Sequence, residues 1–309
     1  MAAHILVVRP SSLGDIVHTM SLVSDVERHS PGTAIHWVAE EAFAPLVALD
    51  ARIGRVVPVA FRRWRRQPLS GATRREFLEF RRALRAQRYD AILDLQEQLK
   101  GAIGARMARG RRPGFDRANV REPIATWLDD VHHAIDRNQH FIATARAMAA
   151  AALGYTVEGR PRWSFTPPSR TDAMPDGPYA VAFHATSRED KLWPEERWIE
   201  LGRGLRAPTV LPWGSEAERA RAERIASAIG GTVPPPRSLQ EISRLFAAAR
   251  CVVGLDTGLT HLAAALGTTT VGIYCGSDPA LTGLYGAPNA RNAGAAGRPP
   301  EVDEVLSLL

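Results

Sequence analysis

The sequence predicts an α/β protein built from two domains, each with a doubly wound parallel sheet. Its 309 residues exceed what one hydrophobic core usually organises. Two series of alternating short apolar segments and amphipathic segments follow one another, separated by a stretch rich in Pro, Ser, Thr and Asp. We therefore predict a first domain over residues 1–166, a linker over 167–178 and a second domain over 179–309.

The first series contains strand-like and helix-like segments in alternation. Short apolar runs predict strands at residues 4–8, 34–38, 56–59 and 91–95. Apolar residues spaced three or four apart predict helices at residues 16–29, 41–49, 74–87, 99–108 and 140–153. Strands that alternate with helices through short connections favour a parallel sheet, because each parallel pair needs a crossover.

The second series repeats this arrangement. Strands are predicted at residues 179–183, 209–211, 251–255 and 270–274. Helices are predicted at residues 194–205, 217–229, 239–249, 259–266 and 302–309. We expect the last helix to pack back on the first domain, and the carboxyl ends of the strands of both domains to face a central cleft, where α/β proteins bind ligands.

The composition excludes several classes of protein. A chain that is 45% hydrophobic and 23% charged is neither disordered nor collagen-like. Its apolar runs are far shorter than the roughly 20 residues that span a bilayer, and its first residues lack the basic leader of a secretory signal. We therefore expect a cytoplasmic protein. Cys251 and Cys275 lie in apolar strand segments without metal-ligand spacing, which predicts buried thiols.

Positive charge is concentrated in one part of the chain. The net charge is +6, and residues 52–121 account for more than this excess, with 19 basic against 6 acidic side chains. Such a surface attracts nucleic acid, phospholipid headgroups or an acidic glycan; the alternative is a solvated face of an arginine-rich protein. Only Lys100 and Lys191 are lysines, which indicates positions where a compact charge is preferred to a planar guanidinium.

The turn after the first strand, residues 11–15 (SSLGD), is the first candidate site. Turns at the carboxyl end of a strand are where ligands bind in open α/β sheets. Gly14 permits close backbone approach, and Asp15 would present a carboxylate. Because Asp is also a favoured helix N-cap, the residues alone leave both interpretations of Asp15 open.

A second candidate follows the strand at residues 251–255. Asp256, Thr257 and Gly258 open a helix, whose free backbone N–H groups and dipole favour a phosphate, and His261 shares a helix face with Thr257. The alternative is helix capping with a core histidine beyond it.

Two further segments of the second domain carry polar candidates. Thr186, Ser187 and Lys191 follow a strand end and suit diphosphate oxygens, although an ordinary polar loop has the same composition. Glu218 follows Ser215 at capping-box spacing, so its carboxylate either contacts a ribose or serves only the helix.

Residues 61–66 (FRRWRR) place an aromatic ring among four arginines in a predicted loop. Arginine binds phosphates or carboxylates bidentately, and Trp64 would lie on a sugar ring or a lipid interface. Lys100 and Arg121 extend this anion-binding surface. Three histidines are not assigned to it: His132, His133 and His140.

The order and spacing of six motifs resemble the lipopolysaccharide heptosyltransferases of glycosyltransferase family 9. The motifs are SSLGD at 11–15, RRWRR at 62–66, REP at 121–123, HATSREDKLWPEE at 184–196, PWG at 212–214 and DTGLTHLAAAL at 256–266. The resemblance runs from residue 5 to about residue 286. It implies a GT-B fold of two Rossmann-like domains, with the acceptor bound by the first and the donor mostly by the second.

The resemblance also implies substrates and residue roles. The donor would be ADP-L-glycero-β-D-manno-heptose and the acceptor the first Kdo sugar of the lipid A inner core, with no cofactor. Asp15 would be the general base. Donor contacts would come from Thr186, Ser187, Lys191, Glu218, Arg237, Asp256, Thr257, Gly258 and His261. Acceptor contacts would come from Ser12, Gly14, Arg62, Arg65, Arg66, Lys100 and Arg121.

We expect a single displacement with inversion at the anomeric carbon, at the cytoplasmic face of the inner membrane, with peripheral contact to its anionic surface. Helix dipole, lysine and hydroxyls neutralise the departing diphosphate in this scheme, which requires no metal, and the chain has no D-x-D motif. Alternatives are another acceptor, as in enzymes like heptosyltransferase II, and nucleotide-sugar epimerisation. A basic nucleic-acid-binding protein is the non-enzyme alternative, although we expect no nucleic acid partner.

Overall fold

The computed structural model describes residues 3–166 and 177–309. The chain divides into two compact units, Met1–Ser164 and Phe165–Leu309. The predicted linker, residues 167–178, lies outside the described residues except for its last two. The domain limits and the role predicted for each domain remain predictions.

The first unit alternates strands and helices from its first residues onward. Its strands are β1 His4–Val8, β2 Ala34–Glu40, β3 Ile53–Val59, β4 Arg88–Tyr89, β5 Ala91–Asp94, β6 Arg109–Gly110, β7 Pro113–Phe115 and β8 Val131–His133. Its helices are α1 Leu13–Met20, α2 Leu22–His29, α3 Ala44–Val47, α4 Phe61–Trp64, α5 Gly71–Arg85, α6 Leu99–Met107 and α7 Phe141–Leu153, with a 3₁₀ helix at Pro123–Leu128.

Four strands of residues 3–166 form a parallel sheet in the order β3-β2-β1-β5. The chain begins in the middle of this sheet, builds outward through β2 and β3, and then returns to the other side of β1. The order therefore reverses between β1 and β5, and a ligand site is expected beside such a reversal. The loops that leave these two strands begin at Arg9 and Leu95.

Two predicted helices of this unit differ from the structure. The helix predicted over residues 16–29 is divided into α1 and α2, because Ser21 ends α1 and its hydroxyl donates to the His18 carbonyl (2.7 Å). The helix predicted over 41–49 shortens to Ala44–Val47. The sequence also gives no sign of the paired short strands β4 with β6 and β7 with β8, which lack apolar runs of strand length.

The second unit follows the same plan. Its strands are β9 Ala180–Phe183, β10 Thr209–Val210, β11 Cys251–Leu255, β12 Thr270–Tyr274 and β13 Ala290–Gly294. Its helices are α8 Glu195–Gly204, α9 Glu216–Ile229, α10 Leu239–Ala248, α11 Gly258–Ala265, α12 Pro279–Thr282 and α13 Val302–Ser307, with a 3₁₀ turn at Glu189–Lys191.

Within residues 177–309 the strands form one parallel sheet in the order β10-β9-β11-β12-β13. The order reverses between β9 and β11, as it does between β1 and β5 in the first unit. Strand β13 was not predicted, since its polar sequence ARNAG becomes a strand only by pairing at the sheet edge with β12. Helix α13 packs against α8, and its predicted return to the first domain remains a prediction.

Each unit has its own apolar core. Leu6, Val8 and Ile92 contribute to the first, and Trp193 and Trp198, whose rings meet edge to face at 5.2 Å, contribute to the second. Cys251 and Cys275 are buried free thiols, as predicted. No helix of the described residues is both long enough and apolar enough to cross a bilayer.

The second core also contains an ionisable ring. His184, directly after β9, is fully buried and lies edge-on to Trp198 with ring centres 6.5 Å apart. Burial, followed by the charge of Arg221, lowers the pKa of His184 to about 4. The imidazole is therefore neutral at pH 7 and serves as a core group.

We expect this histidine to make stability depend on pH. A histidine whose pKa is lower in the folded state contributes its full stability above its unfolded pKa and loses it as the pH falls. Between pH 8 and pH 5 the free energy of unfolding should fall by about 2 kcal/mol on account of His184. Urea titrations of wild type and His184→Phe at both pH values measure this contribution of His184 to the free energy of unfolding. The same fall in both proteins would contradict it.

Candidate active site

The first site is built at the reversal between β1 and β5. The Ser11 backbone N–H donates to the side-chain oxygen of Gln96 (3.1 Å), which joins the loops that leave the two strands. Asp15 occupies the third position of α1. Its carboxylate accepts hydrogen bonds from the backbone N–H (2.9 Å) and the hydroxyl (3.0 Å) of Ser12. The N-cap is therefore Ser12 and not Asp15, which instead reaches back in the manner of a capping box.

A buried arginine holds the other face of the Asp15 carboxylate. Nη2 of Arg9 lies 3.0 Å from Oδ1 of Asp15, and Arg9 is only 1% exposed whereas Asp15 is 22% exposed. Burial raises the pKa of Asp15, but the positive charge of Arg9 and the Ser12 hydrogen bonds outweigh that effect and lower the pKa overall. Asp15 is therefore an ionised, partly accessible carboxylate at neutral pH, which is the state that a general base requires.

Arg9 is itself fixed from behind. Its guanidinium lies 3.9 Å from Oε1 of buried Glu97, which also pairs with Arg137, and it stacks over the ring of Phe141 at 5.4 Å. Sequence reasoning missed Arg9. A signal was present, because an arginine directly after four apolar strand residues is buried and needs an anionic partner nearby.

Several predicted acceptor residues lie around Asp15. Nζ of Lys100 donates to the Ser11 hydroxyl (3.2 Å), and its pKa is lowered by burial and by the charge of Arg62. The charge of Arg121 contributes to the low pKa of Asp15. Ser12 and Gly14 flank the carboxylate in the first turn of α1. The structure thus brings Ser12, Gly14, Lys100 and Arg121 close to Asp15, and Arg62 close to Lys100.

The arginine-rich segment differs from its prediction. Residues 61–64 form a helical turn, α4, and not a loop. Trp64 is buried, its Nε1–H donates to Glu76 (2.6 Å), and it packs on Phe80, so it is not available to a sugar or a lipid. The guanidinium of Arg63 pairs with Glu76 and with a second carboxylate, that of Glu41.

The remaining arginines of this segment are exposed. Arg62 stacks over the ring of Phe43 at 5.5 Å. Arg65 lines an apolar hollow of about 360 Å³ beside Trp64, and Arg66 is exposed to solvent. The charge of Arg63 is thus balanced by two carboxylates. The other arginines of this segment are the three that the sequence assigned to the acceptor: Arg62, Arg65 and Arg66.

The second site is built at the reversal between β9 and β11. Asp256 follows β11, and Nζ of Lys191, at the end of the 3₁₀ turn after β9, lies 2.6 Å from its Oδ2. The hydroxyl of Ser277, which follows β12, donates to the same oxygen, and Nε2 of His261 lies 3.4 Å from Oδ1. Three residues, Lys191, Ser277 and His261, therefore meet on one carboxylate.

These contacts decide the charge of the cluster. Burial opposes ionisation of Asp256, but hydrogen bonds from His261, Lys191 and Ser277 outweigh it and hold the pKa well below its usual range. Asp256 and Lys191 are only 6% and 16% exposed. A close approach at Gly276 keeps the lysine turn in place, since a Cβ there would lie 2.5 Å from the Asp190 carbonyl oxygen.

The predicted phosphate site lies next to this cluster. Thr257 is the N-cap of α11 and Gly258 its first residue. Thr260 donates its hydroxyl to the Leu255 carbonyl (2.6 Å), which anchors the first turn to β11. The amide N–H groups of a helix N-terminus attract anions. Because Lys191 adjoins them, the arrangement suits the oxygens of a phosphate or diphosphate.

Of the other predicted donor residues, Glu218 and Arg237 have local partners. Thr186 is half-buried and Ser187 exposed in the loop between β9 and the lysine turn. The carboxylate of Glu218 accepts from the Gly214 backbone N–H (2.7 Å), which supports the helix-capping interpretation. Arg237 pairs with Glu241 at 3.4 Å, at the start of α10.

Comparisons with known proteins identify the family of the chain. The sequence profile of glycosyltransferase family 9 (heptosyltransferase) matches residues 77–306. Lipopolysaccharide heptosyltransferase 1 of Escherichia coli strain K12 is 40% identical over 290 residues, which cover 91% of each chain. The chain belongs to glycosyltransferase family 9. This family 9 member is thus an enzyme, as the motifs predicted.

Two solved structures extend the comparison to the fold. E. coli heptosyltransferase WaaC with ADP superimposes on this family 9 enzyme with a TM-score of 0.88 at 38% identity, covering 99% of this chain and 96% of that one. WaaC with ADP-2-deoxy-2-fluoro heptose has a TM-score of 0.84 at 37% identity over the same shares. The predicted fold class, α/β of GT-B type with two parallel sheets, is confirmed.

Proposed function

We propose that this family 9 enzyme transfers L-glycero-D-manno-heptose from ADP-heptose to the first Kdo sugar of the lipid A inner core, in lipopolysaccharide synthesis. The observation that carries the proposal is the ionised Asp15 carboxylate, held by buried Arg9 at the strand reversal of a family 9 fold. The relatives that support the choice of substrates are lipopolysaccharide heptosyltransferase 1 and WaaC, which has been solved with ADP and with a fluorinated ADP-heptose.

The second unit supplies a site for the donor diphosphate. Lys191 and the first N–H groups of α11 present positive charge, while Asp256 fixes the lysine and orients His261. As the bond between the sugar and the diphosphate breaks, negative charge grows on the leaving ADP. Preorganised donors stabilise that charge more in the transition state than in the ground state. Thr186, Ser187 and Thr257 would add hydroxyl donors to this site.

The first unit supplies the base. The Asp15 carboxylate accepts the proton of an acceptor hydroxyl while the hydroxyl oxygen forms its bond to the anomeric carbon and ADP departs with the bonding electrons. The configuration at that carbon inverts. Ser12 and Arg9 hold the carboxylate in place, so the side chain needs little reorientation during the reaction.

The acceptor is acidic, which matches the cations around Asp15. The Kdo carboxylate and the lipid phosphates would be bound by exposed guanidinium and ammonium groups of the first unit. The residues proposed for this role are Arg62, Arg65, Arg66, Lys100 and Arg121. We further propose that the enzyme acts at the cytoplasmic face of the inner membrane, since this acceptor is anchored in lipid.

ADP release from ADP-heptose tests the proposal. We expect release only when Kdo-lipid A is present, together with a product heavier by one heptose in the mass spectrum. Release only with an acceptor that already carries heptose would indicate a reaction like that of heptosyltransferase II. Conversion of the nucleotide-sugar without ADP release would indicate epimerisation, and either outcome would overturn the proposed acceptor reaction.

A further inference from the structure

Helix α6 has its large and small apolar residues on unexpected sides. A surface helix normally turns its large apolar residues toward the core. In α6 the buried residues are all small: Gly101, Ala102, Gly104 and Ala105. Leu99 and Ile103, one turn apart, are instead 37% and 40% exposed. The close packing requires small residues, since a Cβ on Gly101 would lie 2.6 Å from Oδ1 of Asp94.

The 3₁₀ helix Pro123–Leu128 packs against α6 and adds to its apolar surface. Ile124 is 49% exposed and Trp127 is 74% exposed. A tryptophan so exposed is costly unless it has a partner, because most of its ring lies against water. We name the four side chains the α6 apolar face: Leu99, Ile103, Ile124 and Trp127.

The charges around this face are positive. Helix α6 carries exposed Lys100 and Arg106 and no acidic residue, and the 3₁₀ helix carries no charge. Arg121 lies exposed just before it. Positive charge beside an apolar face with tryptophan is the combination that binds an anionic lipid surface.

The nearby carboxylates reduce this positive charge without cancelling it. Glu122 accepts from the Leu99 backbone N–H (2.9 Å) and from Gln98 (3.2 Å), and Asp130 pairs with Arg112 at 2.7 Å. Burial raises the pKa of half-buried Asp129 to about 6. Even with Glu122 and Asp129 counted as charged, the three cations Lys100, Arg106 and Arg121 leave a positive balance near the face.

We propose that the α6 apolar face docks onto a bilayer that contains anionic phospholipid. Trp127, Ile124, Leu99 and Ile103 would enter the headgroup region, and Lys100, Arg106 and Arg121 would contact the phosphates. The face also adjoins the base, because Lys100 at the start of α6 reaches the Ser11 hydroxyl at 3.2 Å. A lipid-borne acceptor would thus be presented to Asp15 from the membrane. The docking extends the proposed function but is measured without any acceptor.

Co-sedimentation with phosphatidylcholine vesicles, with and without phosphatidylglycerol, tests the docking. We expect the wild type to bind the anionic vesicles roughly tenfold more tightly than the neutral ones. The double variant Ile124→Ser/Trp127→Ser should lose roughly tenfold in affinity for the anionic vesicles. Leu281→Ser is the matched control, since Leu281 is a comparably exposed leucine (45%) on α12 of the second unit, and its binding should equal that of the wild type.

Two further measurements separate docking from loss of folding or of chemistry. Trp127→Phe should still bind vesicles but should lose the blue shift of tryptophan emission that binding produces in the wild type. The double variant should keep the wild-type thermal midpoint and the wild-type rate of ADP release with a water-soluble acceptor that lacks acyl chains. If the wild type had no turnover, the vesicle result would still stand.

Three outcomes would overturn the docking proposal. They are equal binding by wild type and double variant, absence of wild-type binding to anionic vesicles, and a wild-type dimer in sedimentation equilibrium that the double variant abolishes. The last would show that a second copy of the chain covers the face.

Discussion

Replacing Asp15 with Asn should lower kcat for heptosyl transfer by ~100-fold or more, because the amide cannot accept the acceptor proton. The side chain keeps its shape, and its carbonyl oxygen can still accept the Ser12 hydrogen bonds that stabilise the start of α1. ADP release at saturating donor and acceptor is the measurement. A loss of less than ~10-fold would reassign Asp15 to a structural role in the capping box.

Asp50→Asn is the matched control for this substitution. Like Asp15, Asp50 is an aspartate paired with an arginine, since both of its oxygens accept from Arg52. It is itself buried and lies after α3 in a separate network with Glu27. We expect this variant to lose stability and to keep kcat. If both variants lost kcat equally, the loss would reflect disturbance of a buried ion pair and not removal of a base.

The pH profile of activity distinguishes an electrostatic role of Arg9 from a structural one. Since Arg9 lowers the pKa of Asp15 against the effect of burial, Arg9→Met should raise that pKa. Activity that needs the ionised carboxylate is present above its pKa and lost below it. The acid limb of kcat/KM should therefore move to higher pH in Arg9→Met than in wild type, whereas a purely structural role of Arg9 would lower the profile without moving its limb.

Lys191→Ala should weaken ADP binding by roughly 30-fold, equivalent to about 2 kcal/mol. The variant removes the cation proposed to hold the diphosphate and also leaves the nearly buried Asp256 carboxylate without its 2.6 Å partner. That carboxylate would then repel the phosphates. Isothermal titration calorimetry with ADP measures the effect directly, and an unchanged dissociation constant would contradict a phosphate role for Lys191.

A double variant separates the two contributions. In Lys191→Ala/Asp256→Asn the repelling charge is absent as well, so ADP affinity should recover in part relative to Lys191→Ala alone. Arg224→Ala is the control for loss of one positive charge. Arg224 belongs to the same unit and is exposed, with only Glu195 as its ion-pair partner in the described structure, so ADP affinity should hardly change.

Prediction from sequence succeeded where local pattern alone forms an element. The limits of β1, β11 and β12 agree with the predicted strands because each is a short, mostly apolar and mostly buried run of strand length. It failed where an element depends on its neighbours. Strand β13 exists through its pairing with β12, and the arginine-rich segment becomes helical and buries Trp64 on Phe80.

The residues of the candidate site show the same difference between local pattern and tertiary contact. Motif resemblance pointed to Asp15, Lys191 and Asp256, all of which lie beside a strand reversal of their sheet. It did not point to Arg9 or Ser277, which hold two of those side chains. The place of Arg9 after an apolar strand indicates that it is buried, but the partners of both residues follow from position in the sheet, which no local pattern encodes.

The sequence by itself thus determined the alternating elements, the family and the residues that carry the proposed chemistry, since these are read from order and spacing along the chain. Only the tertiary structure decided the partners of Asp15 and Asp256 and hence their charge. The reason is that strand order brings together loops far apart in sequence, and the charges and hydrogen bonds that set a buried carboxylate's pKa act through space over a few ångströms.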